Sequence, residues 1–302
     1  MMFKSKIAVL ASTLLLSGVA ASADLTTGLA AHYSFDDCKA TDSSGNNNNG
    51  TITGNLQCTK GMLGKGVLFD GASYISVPSS SSLHPVNQWT TAFWVRDDGM
   101  VKDWTSLVHK GGVDNDCASN REYSTWLFRS SSFSESTAGD GGCRAYVTSK
   151  TITTVGKWLH YVGIVDRVNH IMKIYINGQL SAQQTDTYSA FNNNNYDLRI
   201  GFSEGGGMSG SESPFKGALD DMRFYNRALS DSEIKTLYTM SQPISGTVKG
   251  VQQYSATCTN VNTGQTKTIA LRDGMLAWNC KAAGLKTSPG DNINISIDAV
   301  SW

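Results

Sequence analysis

Polar and apolar positions alternate along this chain in short runs, separated by glycine, asparagine, serine and aspartate. Period-two alternation puts successive side chains on opposite faces of a strand, so each run predicts a β-strand. The runs are HYSF (32–35), GVLFDG (66–71), SYISVP (73–78), TTAFWVRD (90–97), KWLHYVGIVD (157–166), IMKIYINGQLSAQQ (171–184), YDLRIGF (196–202) and ALDDMRFYN (218–226). In the fourth, Phe93 and Val95 fall on one side and Ala92, Trp94 and Arg96 on the other. Asp70-Gly71 breaks the second run from the third. Asn177-Gly178 lies between two strand runs and predicts a type I′ hairpin, a turn whose central residues both need positive φ. Strands at this spacing, with no helical pattern between them, predict an all-β antiparallel sandwich or jelly roll.

One stretch departs from the pattern. In RALSDSEIKTLY (227–238), Ser230 is an N-cap, Glu233 its capping-box partner at N3, and Leu229 and Ile234 are placed to staple at N′ and N4. A short amphipathic helix from Ser230 to about Tyr238 is expected, packed across one end of the sandwich as a lid. SQPISG (241–246) then reads as a linker. Beyond it SGTVKG (245–250), YSATCTN (254–260), TKTIAL (266–271), LAWNCKAAG (276–284) and NINISIDAV (292–300) predict a second, small β-sandwich, with Trp278 as its core anchor. Two NNNN tracts, Asn46–Asn49 and Asn192–Asn195, read as loop filler.

The first residues carry a different signal. Lys4 and Lys6 precede the apolar run IAVLASTLLLSGVA, and Ala21-Ser22-Ala23 suits signal-peptidase cleavage before Asp24. The run is shorter than the ~20 residues that a membrane span needs. The expected organisation is a signal peptide (1–23), a jelly roll (24–241) and an accessory β-sandwich (242–302). The expected location is secreted, periplasmic or cell-surface. Without Lys4 and Lys6, 23 basic residues face 25 acidic ones, a formal charge of −2. A chain this close to neutral has no electrostatic footprint for nucleic acid or an anionic membrane. All six cysteines lie in the exported part, and an even count in an oxidising compartment favours disulfides. Sequence neighbours suggest Cys38–Cys58, Cys117–Cys143 and Cys258–Cys280. Zinc is the alternative, but the chain has no CxxC or HxxxH spacing.

Seven stretches in order, GLAAHYSFDD, DSSGNNNNGTI, GKGVLFDGASYISVP, TTAFWVR, GKWLHYVGIVD, KIYINGQL and FKGALDDMRFYNRALSDSEIKTLY, give a family resemblance. From about Gly28 to Tyr238 the chain resembles the LamG-like jelly roll of the concanavalin A-like lectin/glucanase superfamily. The resemblance implies two antiparallel sheets, with the first strand paired to the strand around Met222. The tail is similar to small disulfide-bonded β modules of exported bacterial proteins. If the first and last strands pair, Asp36-Asp37 comes near Asp220-Asp221. Four such carboxylates repel unless something neutralises them, and calcium does so with oxygen ligands. The positions that match a structural calcium best are Asp36 and Asp220. The alternative is that these acids are exposed at strand ends and pair with Arg223, Arg227 or backbone amides. Asp42 reads as a turn aspartate bonding its own backbone.

The same superfamily includes glycosidases, which set two carboxyls about 5 Å apart for a retaining mechanism. The chain has five glutamates, Glu122, Glu135, Glu204, Glu212 and Glu233, with no close pair, and Glu233 is the helix cap. A non-catalytic protein is therefore expected. The segment from Trp104 to Cys143 departs most from the family framework. Its Trp104, Asp114, Asn115, Asp116, Tyr123, Trp126 and Arg129 have sugar-binding chemistry: aromatic faces for ring CH groups, polar groups for hydroxyls. A Cys117–Cys143 bridge would hold that loop rigid. Against this, Trp126 alternates with Phe128 as a core residue would. The reading is an exported, adhesive glycan-binding protein with a structural calcium, whose partner is a polysaccharide or glycosylated surface. The alternatives are a glycan-cleaving enzyme of the same superfamily and a protein-binding structural module.

Overall fold

The computed structural model describes residues 24–99, 103–112, 121–139, 144–152, 154–203, 213–241, 254–271, 280–281, 283–288 and 291–299. Residues 1–23, where a signal peptide is expected, and Trp278 lie outside them. Two large antiparallel sheets face each other. Sheet I runs in the order β13 (Gln179–Thr185), β12 (Ile171–Ile176), β11 (Trp158–Asp166), β6 (Gln88–Asp97), β15 (Lys216–Tyr225), β4 (Lys65–Asp70), β3 (Gln57–Lys60), with β1 (Leu29–Tyr33) also on β15. Sheet II runs β10 (Arg144–Thr148), β9 (Ser132–Ala138), β8 (Tyr123–Phe128), β7 (Trp104–Lys110), β14 (Leu198–Ile200), β5 (Tyr74–Val77), β2 (Thr51–Thr53). This is the expected all-β jelly-roll sandwich. A third sheet, β17 (Thr266–Leu271), β16 (Tyr254–Asn260), β18 (Ile293–Ala299), lies in the C-terminal part, where Cys258–Cys280 is bridged. Among the described residues no helix is long and apolar enough to cross a membrane.

The alternation in β6 sets the layers. Phe93 and Val95 enter the core between the sheets with Tyr161, Phe133 and Leu127. Ala92 faces the other way, into a second cluster with Val162, Ile164, Tyr175, Ile234 and Leu237. That cluster is where α1 (Asp231–Met240) packs, so the helix covers the outer face of sheet I instead of one end of the sandwich. The reason is legible in β6 and β11, which are apolar on both sides and would otherwise leave one face in water. Burying Ile234 and Leu237 there contributes about 2 kcal/mol each. The capping box forms as expected: Ser230 accepts from the Glu233 amide and Glu233 from the Ser230 amide. Asn177 and Gly178 both have positive φ, the type I′ signature. Asp70-Gly71 does more than break a strand, because it carries the chain from sheet I (β4) to sheet II (β5).

The asparagine tracts do more than fill loops. Asn46 and Asn48 donate to the carbonyl of Ala30, and Asp42 collects the amides of His32, Ser44 and Asn48. The second tract is tied to a buried pair: Lys110 Nζ lies 3.2 Å from Glu122 Oε2 and donates to the carbonyls of Asn194 and Tyr196.

Candidate functional site

Two regions concentrate polar chemistry. The first exists because β15 changes partner halfway along one side. Lys216–Leu219 pair with β4, and Met222–Tyr225 pair with β1. Asp220 and Asp221 sit at the junction, where the register against β6 also shifts and Asp221 has positive φ. The two acids point to different partners. Asp221 accepts from His32 Nε2 at 2.7 Å and is chelated by Arg223. Burial alone would raise its carboxyl, but the Arg223 charge and the His32 hydrogen bond hold it below the usual range. Asp220 Oδ2 accepts the amides of Met62 (2.7 Å) and Leu63 (2.8 Å), and burial raises its pKa to about 7. Asp36 takes the Lys65 amide of the same β3–β4 turn at 2.9 Å. That turn is held by the Cys38–Cys58 bridge, since Cys58 lies in β3. A Cβ on Gly61 or Gly64 would press into the carboxylates of Asp220 and Asp36 respectively. Asp37 stays local, bonding Lys39 N and Thr41 Oγ1. The four acids are thus shared out among separate partners: the pairing with Arg223 and with backbone amides occurs, but Asp220 and Asp221 are buried where exposed strand ends were expected, because β15 is an inner strand flanked by β6 and β4, and Arg227 pairs with Glu233. One buried oxygen, Asp220 Oδ1, has no partner among the described residues.

The second region is the outer face of sheet II. Alternation sends Tyr123, Thr125 and Leu127 inward and Ser124, Trp126 and Phe128 outward. Cross-strand registers align one row over the whole sheet: Tyr146, Ser136, Ser124, His109, Arg199, Ser76, Thr51. A parallel row holds Thr148, Ser134, Trp126 and Ser106. His109 Nδ1 meets Ser124 Oγ at 2.9 Å. Burial, then the Arg121 charge, lowers its pKa to about 3, so His109 is neutral at physiological pH. With Nε2 donating to the Gly112 carbonyl, Nδ1 accepts from Ser124. Four arginines each lie over an aromatic ring on this face: Arg121 over Trp126, Arg129 over Phe128, Arg144 over Tyr146 and Arg199 over Tyr74. Trp126 is 2 % exposed, and its Nε1 has no partner among the described residues. The middle of this face, with Ser106, His109, Ser124, Trp126, Ser134 and Ser136, is buried, so the groups open to a hydroxylated ligand are half-buried Trp104 and Phe128 and exposed Arg129, Tyr146 and Thr148.

Residues 69–235, more than half of the chain, match the family described as concanavalin A-like lectin/glucanases. The chain belongs to the concanavalin A-like lectin/glucanases superfamily. No curated protein matches it significantly. Among solved structures of this type of fold, the chain is 27% identical to domain 4 of AbnA, a GH43 extracellular arabinanase from Geobacillus stearothermophilus, in complex with arabinotriose. That match covers 70% of this chain and 98% of the other, with a TM-score of 0.51. It is 13% identical to botulinum neurotoxin type C, whose cell entry depends on two ganglioside molecules, over 83% of this chain and 63% of that one, with a TM-score of 0.58. It is 12% identical to the binding domain of botulinum neurotoxin DC in complex with rat synaptotagmin II, over 90% and 72% of the two chains, with a TM-score of 0.56. The two toxin domains, at these identities, share the fold alone.

Within this superfamily frame, the candidate sugar-binding residues separate. Trp104 and Phe128 stand opposite each other with ring centroids 4.6 Å apart. Arg129 follows at the end of β8 and pairs with Asp103 at 2.9 Å. Trp126 is on the same face. Tyr123 is not: it is fully buried against Trp89, 4.4 Å between centroids, and donates to the Leu83 carbonyl. Its odd position in β8 turns it into the core, which removes it from a surface site. Asp114, Asn115, Asp116 and the Cys117–Cys143 pair lie outside the described residues. Arg121, Arg144, Tyr146 and the serines of β9 are not marked by alternation, because SFSESTA lacks the apolar period that signals a strand. The signal available was serine at every second position, Ser132, Ser134 and Ser136, which is one face of a strand.

Proposed function

We propose that this protein is an exported, non-catalytic glycan-binding protein that engages a polysaccharide or glycosylated surface on the outer face of sheet II. The observation that carries the reading is the half-exposed Trp104–Phe128 platform on this face, with the exposed Arg129 lying over Phe128. Half-buried Trp104 supplies a ring face, and Arg129 beside it supplies donors for hydroxyls. The arabinotriose complex of the similar arabinanase domain supports a sugar ligand. The ganglioside dependence of the toxin is in keeping with it. The signal-like residues 1–23 and the two disulfides support export. For a non-catalytic role, the support is that Glu122 and Glu135 are fully buried and committed to structural partners. Glu204 and Glu212 lie outside the described residues.

Calcium belongs to the same proposal as a structural ion. Asp220 Oδ1 and the Asp36 carboxylate are the side-chain oxygens that would hold it, and its charge would relieve the burial of Asp220. The test is a glycan array and reducing-sugar assay on the wild type and Trp104→Ala, with and without chelator. Binding without sugar release, lost in Trp104→Ala while the circular dichroism is unchanged, is expected. Reducing-sugar release would make the protein an enzyme, and absence of binding to every glycan would favour a protein partner. Chelator is expected to lower Tm and leave binding intact below it.

A further inference from the structure

Three side chains away from the Trp104–Phe128 platform stand in line. Ser79 and His84 belong to the segment that carries the chain from sheet II (β5) to sheet I (β6), and Glu122 immediately precedes β8. The 3-10 turn Ser81–Leu83 folds that segment back, so residues five apart face each other. His84 Nδ1 lies 2.8 Å from Glu122 Oε1, and His84 Nε2 lies 3.2 Å from Ser79 Oγ. A carboxylate only accepts, so Nδ1 carries the proton and Nε2 is the acceptor facing the serine hydroxyl. Lys110 Nζ donates to Ser79 Oγ at 3.1 Å, which leaves the serine's own proton for His84. Glu122 is held from its other side, with Lys110 Nζ 3.2 Å from Oε2, and its amide donates to the Lys110 carbonyl at 2.7 Å. The side chains of Lys110 and Glu122 are fully buried, whereas Ser79 and His84 are half-buried. The set is anchored beneath and reached by solvent at the serine and the imidazole.

We infer that Ser79, His84 and Glu122 form a hydrolytic triad for carboxylic esters, with Ser79 as nucleophile, His84 as general base and acid, and Glu122 as the positioning residue that orients the imidazole. This goes beyond the glycan-binding reading and confines its non-catalytic part to glycosidic bonds, because an ester needs no pair of carboxyls. Nucleophile to base and base to orienting acid are the two contacts that identify such a set, whatever the fold or the chain order. In the first step Ser79 Oγ bonds to the ester carbonyl carbon as its proton passes to His84 Nε2. The bond from that carbon to the alcohol oxygen then breaks, and the alcohol leaves with the proton. Water attacks the acyl carbon of acyl-Ser79 and gives a proton to His84. The carboxylic acid departs as Ser79 takes that proton back. Ester and water become acid and alcohol, with no other reactant. Lys110 is the cation at Oγ and favours negative charge as it develops there. An ester suits the set better than an amide, because an alcohol leaves more readily than an amine.

The test is a serine-reactive fluorophosphonate on the full chain, with the labelled residue located by tandem mass spectrometry, beside hydrolysis of p-nitrophenyl acetate and butyrate. Ser79→Ala, His84→Gln, Glu122→Gln and Ser81→Ala are compared with the wild type, each with its Tm. Exposed Ser81 is the control, since its side chain makes none of these contacts. The expected result is a label on Ser79 of the wild type. Ester turnover falls at least about a hundredfold in Ser79→Ala and His84→Gln and is unchanged in Ser81→Ala. In Glu122→Gln turnover falls and heteronuclear NMR of the imidazole finds the His84 proton moved from Nδ1 to Nε2, which a loss of stability alone would not do. The wild-type label decides the matter even where a variant lowers Tm. No label on Ser79, or turnover that Ser79→Ala leaves in place, overturns the inference. Labelling of Ser79 without turnover of either ester also overturns it, because the acyl step then leads nowhere. Each of these results leaves the glycan-binding reading standing, since that reading is tested by the array and by reducing-sugar release, and ester cleavage frees no reducing sugar.

Discussion

His32 Nε2 lies 2.7 Å from Asp221 Oδ1, joining β1 to the bulge of β15 across 189 residues of chain. Asp221 is also bonded by both Nε and an Nη of Arg223, and all three groups are buried. Asp221→Asn leaves the Arg223 guanidinium buried without its counter-charge, a loss of about 3–5 kcal/mol. Urea denaturation checks this, with a lowered midpoint at unchanged slope as the expected result. A loss below about 1 kcal/mol would mean that the ion pair does not anchor the bulge.

The β3–β4 turn is fitted to Asp36 and Asp220 so closely that an added methyl is not accommodated. Gly64 has φ +86°, and its Cβ would collide with the Asp36 carboxylate. Gly45 has φ +95° but nothing within 4 Å. Gly45→Ala therefore reports backbone strain alone, about 1 kcal/mol, and Gly64→Ala adds the collision, about 1–3 kcal/mol more. Paired thermal melts decide it; equal losses would remove the collision from the account.

Glu135 is buried in the core, and its Oε2 accepts from Thr125 Oγ1 (2.6 Å) and Tyr161 OH (2.7 Å). Burial raises its pKa to about 7, against an ordinary 4.5, the two hydrogen bonds offsetting part of the shift. The folded state holds the proton more tightly than the unfolded state. Its contribution is therefore complete below pH 4.5 and is lost as pH rises toward 7, with a total of roughly 3 kcal/mol. Glu135→Gln removes the titration. The stability difference between Glu135→Gln and wild type should move in favour of the variant from pH 4.5 to 7 and stay level above. A difference independent of pH would contradict the shift.

Tyr123 and Trp104 flank the same β7–β8 ladder and are predicted to behave oppositely. Tyr123→Phe removes one buried hydrogen bond to Leu83, costing about 1 kcal/mol or somewhat more for the carbonyl left behind, with glycan affinity unchanged. Trp104→Ala reduces affinity with a smaller effect on folding. Isothermal titration and denaturation on the same two samples separate the roles.

Lys110 and Glu122 are both fully buried, and burial pushes each toward its neutral form while their mutual attraction opposes it. Lys110→Met strands Glu122 and also frees the Asn194 and Tyr196 carbonyls, so a loss of about 3–5 kcal/mol is expected. Adding Glu122→Leu should recover much of that loss. A double variant as unstable as the sum of the singles would show that the two are not coupled.

The amino-acid order by itself determined the strands with apolar alternation, the Asn177-Gly178 hairpin and the helix cap at Ser230–Glu233, because each depends on neighbours a few residues apart or on conformational needs of single residues; the Cys38–Cys58 and Cys258–Cys280 bridges span 20 and 22 residues, and the sequence suggested them without fixing them. The tertiary structure decided the rest. Alternation says that Tyr123 and Trp126 face opposite ways, but only the packing of β8 against β6 and β11 says which of them is inside. The split partnership of β15 with β4 and β1 set an ion-paired Asp221 apart from Asp220, which with Asp36 takes backbone amides of the β3–β4 turn, while Asp37 bonds only its own neighbours. His84 met Glu122, 38 residues further on, through the packing of the β5–β6 connection against the start of β8, where no motif marks either residue. Local rules act along the chain, whereas the charges and rings of the proposed binding face meet across strands, where only the folded registers bring them together.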